Sequence, residues 1–127
     1  MKIYWVYKYF PAFIFATNFF VSANAGATTF GPLVFIRHSK TFPAIPKNRA
    51  EGLREHELTH VKQFYRTCGL NGIRYLFSKN WRFKYELEAY KEQLKYVPES
   101  EETFAWYLVA RYGLNVTIDE VLALLRS

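Results

Sequence analysis

The segment Arg54-Glu55-His56-Glu57-Leu58-Thr59-His60-Val61-Lys62-Gln63 is helical in its spacing and metal-ligating in its chemistry. Leu53, His56, Glu57, His60 and Phe64 recur at i, i+3, i+4, i+7 and i+11, the period of a helix with one face turned inward. The pattern predicts a helix from about Asn48 to Thr67, before Gly69 offers a left-handed stop. Histidines four apart share a face, with Cβ atoms about 5–6 Å apart, so both imidazoles reach one ion at about 2.0–2.1 Å. Glu57 follows His56 and turns toward His60, where it would flank a metal-bound water without ligating the ion, the place of a general base. The metal, as a Lewis acid, would bring that water's pKa toward about 7.

A catalytic zinc takes a third protein ligand and keeps a fourth position open. His38 is one candidate. The better ones lie in Lys84-Tyr85-Glu86-Leu87-Glu88-Ala89-Tyr90-Lys91, on a helix predicted over Arg82 to Tyr96 and closed by Pro98. Glu86 shares a stripe with Phe83, Leu87, Tyr90 and Leu94, whereas Glu88 falls with Lys84, Lys91 and Lys95. Glu86 is the expected third ligand. Glu88 is the expected solvated partner of Lys84, a pairing worth about 0.2–0.5 kcal/mol.

His56-Glu57-x-x-His60, followed by Glu86-x-x-Ala89-Tyr90 on a later helix, resembles the gluzincin branch of the zincin metallopeptidases. The resemblance implies Zn2+ held by His56, His60 and Glu86, water activated by Glu57, and Ala89 as the small residue of the downstream signature. Tyr90 stands where many members carry an aspartate that orients a zinc-binding histidine. His56 to Gln63 with the later Glu86-x-Glu88-Ala89-Tyr90 is also similar to small bacterial and phage proteins of minimal gluzincin type, over roughly residues 28 to 97. Those relatives carry both glutamates, which makes Glu88 the alternative third ligand. The zincin plan further implies an edge strand that hydrogen-bonds an extended peptide, and a hydroxyl or Arg for the oxyanion, with Tyr75, Tyr85, Tyr90 and Arg74 as candidates.

At 127 residues, 50% hydrophobic and 20% aromatic, the chain is one folded domain with one core, neither a multidomain enzyme nor a disordered segment. Its single cysteine, Cys68, excludes an internal disulfide and a Cys-rich zinc cluster, and is expected as a packed thiol at a helix end. The net charge of +6 is N-terminal: residues 1–49 carry Lys2, Lys8, Arg37, Lys40, Lys47 and Arg49 and no acid. Residues 1–27 form an apolar, basic segment, read either as an element packed on the domain or as an export signal cleaved after Ala25. The cytoplasm is the expected compartment, with secretion as the alternative.

Residues 28–127 are the expected zincin-like domain, α+β and mainly helical, with a small sheet, an active-site helix and a glutamate helix. Thr29 to Arg37 is predicted as one short edge strand, since Pro32 lacks a ladder donor, and Thr41 to Pro46 as a loop. Leu70 to Phe77 is a predicted short helix, Ser78 to Asn80 a turn, Ser100 to Arg111 a helix stopped by Gly113, and Thr117 the cap of a last helix.

The expected function is a zinc-dependent metallopeptidase acting on peptide or protein. The alternative is a non-catalytic basic protein with a latent or structural metal site, binding a membrane surface or nucleic acid through residues 1–49 and the stretch 62–84. In that stretch basic residues interleave with aromatics, but on amphipathic helices this pattern is mostly core plus solvated face, which disfavours nucleic acid. The N-terminal segment is the expected route to a membrane surface.

Overall fold

The computed structural model describes residues 1–7, 10–17, 27–37, 47–112 and 115–127. His38, Ala25, the loop 41–46 and Gly113 lie outside the described residues. The fold is α+β and mainly helical. Strands β1 (Lys2–Tyr7), β2 (Phe10–Thr17), β3 (Ala27–Phe30) and β4 (Leu33–Arg37) precede helices α1 (Lys47–Arg66), α2 (Leu70–Phe77), α3 (Lys79–Leu94), α4 (Glu101–Tyr112) and α5 (Ile118–Arg126).

The strands form one sheet in the order β1-β2-β4-β3, with β2 and β4 parallel and the outer pairs antiparallel. The predicted single strand over 29–37 is a hairpin instead. Gly31 takes a left-handed φ of +57° and Pro32 has no N–H for a ladder, so the chain reverses there. β3 is left at the edge and β4 goes to the interior. A side chain at Gly31 would also place its Cβ 3.3 Å from the Phe64 ring.

Alternation along β2 and β4 turns Ala12, Ile14 and Val34 onto Leu58 and Val61 of α1, which form one buried cluster. A second cluster joins α3, α4 and α5 through Phe83, Tyr90, Phe104, Leu108, Val121 and Leu125. Helix α1 stands between the two. It ends as expected at Gly69, whose φ is +84° and whose N–H donates to the Phe64 carbonyl at 2.8 Å.

The predicted turn at 78–80 is the start of α3. Ser78 Oγ accepts the Trp81 N–H at 3.3 Å and caps the helix, which brings Lys79 and Asn80 into its first turn. Thr117 caps α5 in the expected way, accepting the Glu120 N–H at 3.2 Å. Among the described residues no helix is long and apolar enough to cross a membrane.

Candidate metal centre

Three faces of α1 do three jobs. At about 100° per residue, Leu58, Val61 and Tyr65 lie on one side, His56, Thr59 and Gln63 nearly opposite, and Leu53, Glu57, His60 and Phe64 between them. The first set meets the sheet, and His56 and Gln63 reach α3. The third set borders a cavity of about 740 Å³. The predicted inward stripe is thus the wall of a cavity, and the packed core lies to one side of it.

His56 Nε2 lies 3.1 Å from Glu86 Oε2, and His60 Nε2 lies 3.3 Å from Glu86 Oε1. One ligand atom from each of the three residues falls within 4.8 Å of the others. His56 and Glu86 are buried and His60 is half-buried.

Gln63 fixes how His60 is protonated. Its Nε2 donates to the Tyr85 carbonyl at 3.0 Å and to Glu88 Oε1 at 2.7 Å, two groups that only accept, so its Oε1 is left facing His60 Nδ1 at 2.9 Å. His60 therefore donates from Nδ1. In the neutral ring Nε2 then presents a lone pair to a carboxylate, an arrangement that needs a positive charge between them. A proton on Nε2 is one form of that charge: burial opposes it, but the charge and hydrogen bond of Glu86, with Glu57 and Gln63, push His60 up to about 9. Burial likewise opposes the charge on Glu86, and the two histidines outweigh it, holding the carboxyl well below the ordinary range. Two imidazole nitrogens and a carboxylate oxygen converging on one point are a donor set that fits Zn2+.

The second histidine is held differently. Among the described residues His56 Nδ1 is buried with no hydrogen-bond partner, and the Tyr90 ring packs edge-on against the imidazole at 4.5 Å between centroids. Ring packing, with no hydrogen bond at Nδ1, holds this imidazole. Tyr75 donates to Glu86 Oε1 at 3.0 Å and lies 3.5 Å from the Tyr112 hydroxyl. Burial first, then the Glu86 charge, raises all three tyrosine hydroxyls above their ordinary pKa, so they stay protonated as donors.

Glu57 is buried beside this group, and its carboxylate accepts a hydrogen bond from Thr29 Oγ1 on β3. Glu88 lies outside the ligand group and does not pair with Lys84. Arg66 grips it with Nη2 at 2.8 Å and Nη1 at 3.2 Å, while Lys84 lies over the Trp81 ring. Partial burial works against its charge, but Arg66 and Gln63 hold its carboxyl below the ordinary value. Glu88 acts one link behind the site, in a chain Arg66–Glu88–Gln63–His60.

Of the oxyanion candidates, Tyr75 and Tyr90 line the cavity. Arg74 and Tyr85 instead approach each other at 3.5 Å, with the Arg74 guanidinium on Trp81. Cys68 is free and exposed, not packed, because it sits at a left-handed turn with φ 52°. Thr29, Gln63 and Tyr112 carry no role in the sequence reading. Gln63 had one available signal, its position three residues after His60 on a helix, within reach of Nδ1. No family model, curated protein or solved structure matches the chain.

Proposed function

We propose that the chain is a zinc-dependent peptidase of gluzincin type. The supporting observation is the convergence of His56 Nε2, His60 Nε2 and the Glu86 carboxylate on one cavity wall with Glu57 beside them. His56, His60 and Glu86 would hold Zn2+, which supplies Lewis acidity for polarising a carbonyl and acidifying water. Glu57, steered by Thr29, takes a proton from the attacking water as the new C–O bond forms. It returns that proton to the leaving nitrogen as the C–N bond breaks, so one carboxylate serves as base and then acid. Tyr75 fixes the orientation of Glu86, and Tyr90 that of His56. The edge strand β3, which carries Thr29, borders the cavity where an extended peptide would lie. The cytoplasm is the location this reading takes, with secretion as the alternative.

Metal analysis of the purified chain tests the proposal, together with cleavage of a mixed peptide library. Zinc near one equivalent is expected in the wild type and in Glu88→Ala, and none in His56→Ala or Glu86→Ala. Glu57→Gln should keep the metal and lose cleavage by about 10²-fold or more. A wild-type chain that takes up no zinc at neutral pH, or a Glu57→Gln variant that cleaves normally, would overturn it.

A further inference from the structure

Helix α2 has the burial pattern of a helix with a missing partner. None of its residues is buried, and Leu70, Ile73, Leu76 and Phe77 are 42%, 58%, 72% and 83% exposed. At 3.6 residues per turn these four share an arc of about 120° that contains no polar residue. Asn71 and Tyr75 occupy the opposite side, where Tyr75 reaches Glu86, and Arg74 flanks the arc beside Leu70. A water-facing helix ordinarily shows the reverse, and a contiguous apolar face of this kind marks a docking surface.

The charge around the arc indicates what docks. Residues 70–85 hold four basic side chains, Arg74, Lys79, Arg82 and Lys84, and no acidic one. Lys79 follows the apolar arc directly and is exposed, as is Lys84. Trp81, at the start of α3, carries the Arg74 guanidinium at 4.2 Å and the Lys84 ammonium at 4.9 Å over one indole. An apolar helix face rimmed by cations and an indole has the anatomy of an interfacial membrane helix: the aliphatic side enters the acyl boundary, while Lys, Arg and Trp meet the headgroups.

Other occupants fit less well. Single-stranded nucleic acid needs aromatic faces for stacking, and the arc is three aliphatic residues and one Phe. A second copy docked face to face would bring its own cations against Lys79 and Lys84. We infer that α2 and the start of α3, as far as Lys84, dock on an anionic phospholipid surface. Gly69, Gly72, Tyr75 and Leu76 of the same region line the cavity that holds the histidines, so docking sets the mouth of that cavity at the bilayer. This contact narrows the stretch 62–84 to one face of α2 and the start of α3, and it is separate from the N-terminal segment.

The test is co-sedimentation of the full chain with phosphatidylcholine vesicles, with and without about 30 mol% phosphatidylserine. Binding is expected to the anionic vesicles only, and to weaken several-fold as salt rises from about 50 to 300 mM. Ile73→Gln with Phe77→Gln should lower binding about tenfold or more. Lys79→Gln with Lys84→Gln should lower it several-fold and steepen no other property, while Trp106→Gln, an exposed apolar site on α4, should change nothing. Absence of binding, binding untouched by both double variants, a wild-type dimer dissolved by Ile73→Gln with Phe77→Gln, or displacement from vesicles by single-stranded DNA would each overturn the inference. Metal-stripped protein and Glu57→Gln should bind as the wild type does, so this result stands or falls apart from the peptidase proposal.

Discussion

On its sheet side α1 rests Leu58 and Val61 on Ala12, Ile14 and Val34, all aliphatic. On its α3 side it presents His56 and Gln63 to Glu86, Tyr85 and Glu88 through hydrogen bonds. The two sides serve the site unequally. Among the described residues, the groups set against the three candidate ligands come from the helices: Gln63 on His60, Tyr90 on His56, Tyr75 on Glu86. From the sheet, Thr29 touches Glu57, the residue proposed as the base. If the proposed function holds, metal holding and proton transfer rest on different parts of the molecule and should be separable.

The largest effect should come from the helical core. Leu108 is fully buried in the cluster that backs α3, and Tyr90 in that cluster lies 4.7 Å from Phe104. Leu108→Ala should destabilise the fold by about 2–5 kcal/mol and, at a temperature where the variant is still folded, weaken zinc binding. Val34→Ala, in the sheet cluster, should destabilise by about 2 kcal/mol and leave zinc affinity unchanged. Thermal unfolding with a chelator titration reads both. Equal loss of zinc in the two variants would break the division between the halves.

A smaller change isolates the hydrogen-bonded support. Gln63→Leu keeps the volume and removes the acceptor for His60 Nδ1 and both donations to α3. Zinc affinity should fall about 10–100-fold, as for other groups that orient a ligand from behind. A change of less than about twofold would show that ring packing alone holds the imidazoles.

What the sequence revealed follows the same division. The helix carrying His56, Glu57 and His60 was legible because a helical period is local, and Glu86 because its stripe separated it from Glu88. Gln63 was not legible: a polar residue on a helix reads as solvent-facing until a second helix is laid against it. The partner of Glu88 was misplaced for the same reason, since Lys84 is four residues away in sequence and Arg66 is across a helix interface. The hairpin at Gly31 was read as one strand because its apolar run is continuous. Only the pairing of β3 and β4 reveals the reversal.

The finest test of the division is Thr29→Val, which keeps the β-branched shape on β3 and removes one hydroxyl. Phe30 opposite Leu33 and Ala27 opposite Ile36 hold the strand in register without that hydroxyl, so the sheet should not move. Zinc content should be that of the wild type, because no ligand atom touches Thr29. The buried Glu57 carboxylate loses a donor, a loss of about 1–3 kcal/mol, part of which water entering from the cavity replaces. Cleavage should therefore slow about three- to tenfold in kcat with little change in KM, an effect on the proton-transfer step alone. A loss of zinc in Thr29→Val would mean that the sheet does support the ligands. An unchanged kcat would mean that Glu57 is steered from elsewhere.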